Sequence, residues 1–268
     1  MKTIIAPTDF TTVSLNAVNY AADMAIELNA RLLLMHVVTI SIPTIQELPV
    51  SDTAYFQENS EKQLNDLKTT ILHRTNKAIE VSTLQLTGNF SYELKKTCLE
   101  IQPFAIVMGS HMPGMLERLL FGSATLNTMV NLPFSVMVIP GNLSYKPIKK
   151  IAFATDLKGI YNIPLEEIKT ITRSLDASLS VVHVALEGEL AHESYAEKTL
   201  LQHRLKEFNP HFHFIHAKSV EAGIEKFTAE NSIDLLLLLP KKHNLFHKSQ
   251  SKQVIFHLTV PAMAIHEE

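Results

Sequence analysis

Glycine is scarce in this chain: 8 of 268 residues, about 3% against a usual share of about 7%. A chain so poor in glycine places each one where the backbone needs it. Cysteine is scarcer. The single Cys98 cannot close an internal disulfide, and its amphipathic surroundings suit an inert packed thiol in a reducing compartment. Neither sign of charge dominates, with 24 Lys and Arg against 27 Asp and Glu and a formal charge of −3. Without a basic stripe to neutralise phosphates, nucleic acid is not the expected partner. Long hydrophobic runs are missing too. Even Leu235 to Leu239 stops at Pro240, far short of the roughly 20 residues of a membrane span. The start reaches Pro7 and Asp9 before a signal peptide's apolar core would be complete. The expectation is a cytoplasmic protein with no membrane partner.

What is present is an ordinary globular balance, 46% hydrophobic and 19% charged, which fits neither disorder nor a coiled coil. The length exceeds one usual hydrophobic core, so two domains or one large α/β domain are expected. Internal repetition decides between them. Ile4-Ile5-Ala6-Pro7-Thr8-Asp9 and Ile151-Ala152-Phe153-Ala154-Thr155-Asp156 are apolar runs closing on Thr-Asp, 147 positions apart. The runs ending His36-Val37 and His183-Val184 keep that offset, and Ser123 with Val136 to Ile139 answers Ser249 with Ala262 to Ile265 at an offset of 126. One unit is duplicated, and the second copy is shortened. Residues 141–147, rich in turn formers, are the natural linker, giving domains 1–141 and 148–268.

Within each unit, short β-branched or leucine runs alternate with stretches of helical period, the βαβ signature of a parallel sheet. Strands are predicted near 3–8, 31–38, 79–86, 104–108 and 134–139, then 149–154, 178–185, 211–217, 233–239 and 261–266. Five per unit implies two open doubly wound sheets. Helices are expected to begin at Thr12 or Ser14, Ser60, Ser91 and Ser123, where a hydroxyl can cap exposed amides. Residues 41–53, with Pro43 and Pro49, read as an irregular excursion.

Ligands of such sheets bind beyond the carboxyl ends of strands where chain order reverses. Asp9 stands there, repeated as Asp156. The segment Gly109 to Ser123 leaves the fourth strand, holds three of the eight glycines and ends at a helix start. Glycine lets amides approach an anion, and a helix N-terminus adds unpaired N–H groups. A phosphate cradle and a tight surface turn with a capped helix both fit these residues. The lysine of a P-loop is absent.

The strand ending Pro-Thr-Asp, the strand ending His-Val, and Met-Gly-Ser-His followed at fixed spacing by Leu-Phe-Gly-Ser resemble the universal stress protein family. The resemblance covers the chain as two tandem domains, strong over 1–141 and weaker over 149–266. It implies adenine nucleotide alpha hydrolase-like domains arranged as an internal pseudo-dimer. It also implies binding of ATP or a related adenine nucleotide, with or without Mg2+, in the first domain. Carried over, Asp9 with Val37 or Val38 would contact adenine, next to Pro7 and Thr8 at the strand exit. Met108 and Gly109 would line the ribose and phosphate side, His111 would sit at the rim, and Gly122, Ser123, Ala124 and Thr125 would meet the phosphates. In the family's pattern G-x-x-G, nine residues, G-[ST], Met112 stands at the second glycine. Family members pair through their last strands, which makes Val136 to Ile139 and Ala262 to Ile265 the candidate interdomain edge; a homodimer is the further possibility. The resemblance points to regulation in the stress response by occupancy of the site. The alternative is an interaction module that has lost the nucleotide.

The second unit reads Pro240-Lys241-Lys242-His243-Asn244-Leu245-Phe246-His247-Lys248-Ser249 at the matching place, without glycine, and is expected to be degenerate for ATP. Asp9 is the only acid placed beside the loop, so strong hydrolysis is not expected and slow turnover stays open. No catalytic residue is assigned. No metal site is assigned either: on a strand His211 and His213 share a face while His216 points away, so three ligands do not converge. His243 and His247 have helical spacing without a second cluster of ligands. His36 and His183, at one duplicated strand position, read as packed or hydrogen-bonded histidines.

Overall fold

The computed structural model describes residues 1–39, 50–110, 128, 132–141, 143–157, 160–186, 195–240 and 259–266, with 50–56 and 195 as backbone alone. They fall into two compact units, one built on residues 1–110 with 141–145 and the other on 132–140 with 146–266.

The first unit begins with β1 (Thr3–Pro7), buried at every position because a parallel strand is covered on both faces. Helix α1 (Thr12–Leu28) follows, its Ala, Val, Met and Leu face buried from Ala17 to Leu28. Thr11 caps its start by accepting from the Ser14 amide, and Asn29 ends it in the left-handed conformation, φ +47°. Strand β2 (Arg31–Val38), helix α2 (Val50–Arg74), strand β3 (Val81–Thr87), helix α3 (Phe90–Ile101) and strand β4 (Ala105–Ser110) complete the alternation. The strand order is β3-β2-β1-β4, all parallel, with Pro7 opposite Met35, Ile5 opposite Ile106 and Val38 opposite Thr87.

Helix α2 begins ten residues before Ser60: the chain is helical by Val50, and the Ser60 side chain is buried instead of capping. Helix α3 is capped by Asn89, whose side chain accepts from the Tyr92 amide, two residues ahead of the serine expected to mark its start. Gly141 and residues 143–145 form no regular element and are tied to α1. Asn16 Nδ2 donates to the carbonyls of Gly141 (2.9 Å) and Leu143 (3.3 Å), the Tyr145 hydroxyl donates to Glu27, and Tyr145 meets Tyr20 edge-on at 4.9 Å.

The second unit holds β5 (Val136–Pro140), β6 (Lys150–Ala154), α4 (Leu165–Leu175), β7 (Ser178–Leu186), α5 (Tyr195–Arg204), β8 (His211–Ala217), α6 (Val220–Glu230), β9 (Leu235–Leu238) and β10 (Ala262–Ala264). Its order is β5-β10-β9-β6-β7-β8. All neighbours run parallel except β5 and β10, which pair antiparallel with Met263 opposite Met137. The two last strands, marked in the sequence as a pairing edge, thus bond to one another. Glu167 of α4 ties the two strands together at one end of this pair, accepting from the Ser135 hydroxyl and from the His266 amide at 3.2 Å. Asp234 anchors the start of β6 by accepting from the amides of Lys149 and Lys150 at 3.0 and 2.9 Å, with Lys146 Nζ 3.0 Å away. Among the described residues, no helix is long and apolar enough to cross a membrane.

Candidate functional site

In the first unit the chain leaves β1 for β2 on one side, and β4 returns on the other, so the order reverses between β1 and β4. At the carboxyl ends of these three strands stand Pro7, Thr8 and Asp9, then Val37 and Val38, then Met108 and Gly109. The fold therefore gathers every described candidate at one switch point. Pro7, Thr8, Val37 and Met108 are buried floor, whereas Asp9 is exposed. His111, Gly122, Ser123, Ala124 and Thr125 lie outside the described residues, as do Met112 and Gly114.

Four residues that sequence reasoning did not assign to the site build it locally. Thr11 donates to Asp9 Oδ1 through its hydroxyl at 2.6 Å and its amide at 3.1 Å. Ser14 lies 3.0 Å from Thr8 Oγ1 and 3.3 Å from Thr11 Oγ1, closing a chain of hydroxyls around the first turn of α1. Phe10 adopts φ +63°, a left-handed conformation that costs a residue with a side chain about 1–2 kcal/mol. Its amide donates to Thr8 Oγ1 at 3.0 Å, and its ring meets the His36 ring at 4.7 Å. His36 Nδ1 in turn reaches the Thr8 carbonyl at 2.7 Å. The signal was readable: Thr-Thr-x-Ser one residue after Thr-Asp is a hydroxyl cluster at a helix start.

This arrangement sets the charge of Asp9. Desolvation raises its carboxyl pKa, but the hydrogen bonds from the Thr11 and Ser14 side chains and the Thr11 amide outweigh it and hold the group below the usual carboxylate range. The result is an exposed carboxylate fixed in its ionised form beside a helix N-terminus.

Gly109 is explained by packing. A Cβ there would sit 2.5 Å from the Val13 carbonyl oxygen and 2.7 Å from Val13 Cγ1, so the bare backbone lets the first turn of α1 press onto β4. Its φ is not left-handed; what the position needs is room.

The second unit repeats the strand-exit geometry atom for atom. Leu157 takes φ +63° and its amide donates to Thr155 Oγ1 at 3.1 Å. His183 Nδ1 reaches the Thr155 carbonyl at 2.9 Å, and the Thr155 amide bonds to Val182 as Thr8 does to Met35, 3.0 against 2.8 Å. What differs is the helix. α1 starts three residues after Asp9, whereas α4 starts nine residues after Asp156, behind Pro164, which supplies no side-chain cap. Lys241, Lys242, His243, His247, Lys248 and Ser249 lie outside the described residues.

Cys98 is buried, and desolvation pushes its thiol up to about 12, leaving it without thiolate at neutral pH. Among the described residues, no group of three or more His, Cys, Asp or Glu side chains is placed to hold a metal.

Comparison with known proteins places this geometry. The model of the universal stress protein family matches residues 1–140. A universal stress protein from Archaeoglobus fulgidus superposes with a TM-score of 0.77 at 15% identity, covering 98% of both chains. A protein of unknown function from Pseudomonas aeruginosa gives 0.62 at 12%, covering 100% of this chain and 93% of the other. A universal stress protein solved in complex with cAMP gives 0.40 at 19%, covering 52% of this chain and 96% of that one. Identities this low show the fold alone. No curated protein matches.

Proposed function

The chain belongs to the universal stress protein family, and from that premise we propose that it binds ATP or a related adenine nucleotide in the crevice beyond β1, β2 and β4. The observation that carries this reading is the exposed Asp9 carboxylate, held ionised by Thr11 and Ser14 at the point where strand order reverses. A fixed acceptor of this kind suits the exocyclic amine of adenine, with Val37 and Val38 beside the base and Met108 and Gly109 on the ribose side. In this reading His111, Gly122, Ser123, Ala124 and Thr125 serve the phosphates, with or without Mg2+. The protein is a tandem of two domains, 1–141 and 148–268, and the site belongs to the first. The second keeps Thr155, Leu157 and His183 in place but has no capped helix start beside Asp156. Function follows from occupancy of the site, in the stress response, with hydrolysis slow at most.

Equilibrium binding of labelled ATP to the nucleotide-free protein tests the proposal. Wild type saturates, while Asp9→Ala and Asp9→Asn both weaken binding; Asn keeps an oxygen that accepts from Thr11 and removes only the charge. Absence of binding by wild type at millimolar nucleotide overturns it.

One observation favours a second reading, a non-nucleotide interaction module: the space a Gly109 side chain would need is taken by Val13, so close packing of α1 on β4 accounts for that glycine without a ligand. Met112→Gly separates the two. If restoring the family glycine creates ATP binding that wild type lacks, the natural chain has lost the site.

A further inference from the structure

Strand β8 is an edge: among the described residues it pairs with β7 alone. Strand alternation puts His211 and His213 on one face, next to Ser180 and Val182 of β7. Helix α6 covers that face. Gly223 packs against Val184 and Ala217, and Phe227, one turn further, meets the His213 ring edge-on at 4.8 Å and 61°. Phe212 and Phe214 stack on the opposite face, under Lys198 Nζ at 4.4 Å from the Phe214 centroid. His216 shares that opposite face. His211 is exposed and His213 half-buried, so one imidazole is anchored and its neighbour is free to turn.

We propose that His211 and His213 chelate a late first-row divalent ion, Cu2+ ahead of Ni2+ and Zn2+. Two residues along a strand span about 7 Å, a separation across which both rings can turn a nitrogen to one ion at the ~2.0–2.1 Å of a metal–imidazole bond. The donor set is two nitrogens without a carboxylate, which favours borderline ions over Mg2+ or Ca2+. Burial, and then the neighbouring His211, lower the proton affinity of His213, so protons compete weakly at neutral pH. With no group of three or more ligands gathered among the described residues, the ion keeps open positions for water or an external donor and exchanges readily. Bound there, it fastens the exposed end of β8. The site is separate from the nucleotide crevice and does not depend on that reading.

The test titrates Cu2+ into the full-length protein at pH 7.5, with the site located by paramagnetic broadening of backbone amides and the affinity measured by calorimetry. Residues 211–213 broaden first, and Mg2+ at equal concentration changes nothing. His211→Asn and His213→Asn each weaken this binding by at least about tenfold, since even the outer partner of a ligand is worth that much. His216→Asn, on the other face, leaves it unchanged. His213→Asn also alters the Phe227 contact, so the exposed His211→Asn is the deciding variant. Undiminished binding in His211→Asn, an equal loss in His216→Asn, or first broadening elsewhere overturns the proposal.

Discussion

Gly109→Ala places one methyl group where α1 meets β4. The new Cβ lies 2.5 Å from the Val13 carbonyl oxygen and 2.7 Å from Val13 Cγ1, so the first turn of α1 has to move out by about 1 Å to restore ordinary contact. Overpacking of this kind costs about 1–3 kcal/mol. The alanine recovers about 0.4–1 kcal/mol by restricting the unfolded chain. The net expectation is a loss of about 1–2 kcal/mol, read as a lower urea midpoint at unchanged slope. Val13→Ala in the same chain removes the Cγ1 contact and leaves the backbone oxygen, so it restores only part of the loss. Because the helix start moves, Thr11 and Asp9 shift with it, and ATP affinity falls in the variant as well. A Gly109→Ala protein as stable as wild type that nevertheless fails to bind nucleotide would refute the packing argument and return this glycine to the ligand.

Two further perturbations test the second unit. Asp234→Asn removes a charge bonded to two β6 amides and should cost about 1.5–3 kcal/mol by thermal unfolding at pH 7. Burial raises the Asp234 pKa, but the Lys149 and Lys150 amides and Lys146 outweigh it and leave it below the ordinary 3.8. A depressed carboxyl stabilises fully above its unfolded pKa and loses that contribution as pH falls through the folded value. Wild type should therefore lose stability below about pH 4 faster than the variant, and parallel acid curves would count against the assignment. Glu167→Ala leaves the buried Ser135 hydroxyl without its carboxylate, at a cost of about 1–3 kcal/mol. Faster hydrogen exchange at Ala262 to Ala264 than in wild type, with β7 unchanged, is the expected outcome.

The strands were legible because most are apolar runs bounded by turn residues, the central ones buried at nearly every position. All ten appear within about two residues of their expected limits, the usual uncertainty of a boundary. Helix starts were less legible. Ser60 is a good capping residue, yet α2 runs through it, and its buried side chain lies on the same face as Leu64 and Ile71, so tertiary burial overrides a local cap preference. Of the site, Asp9 was visible from the duplication. The hydroxyl chain that fixes its charge was written in the same few residues but becomes apparent only when Thr8, Thr11 and Ser14 meet within 3.3 Å.

Glycine was the sparse residue from which an asymmetry between the halves was expected, and the described residues locate an independent one. The strand exits of the two units are alike to within 0.2 Å in their three shared hydrogen bonds, even though a phenylalanine in one is a leucine in the other. Geometry at the strand exit therefore depends on the Thr, the His and the left-handed turn, which the two units share. The helix start behaves differently. Thr11, Thr12 and Ser14 cap and open α1 beside Asp9, whereas the chain after Asp156 passes through a short 3₁₀ turn at Ile160–Asn162 and an uncapped Pro164 before α4 begins. The Thr11 and Ser14 groups that hold Asp9 ionised belong to the first turn of α1, the reach of a helix dipole, and α4 begins six residues further from Asp156 than α1 does from Asp9. Transplanting Thr-Thr-Val-Ser after Leu157 would not by itself start a helix there, because Pro164 would fall inside that helix, where it lacks an amide hydrogen and pushes the residue before it away from the helical region.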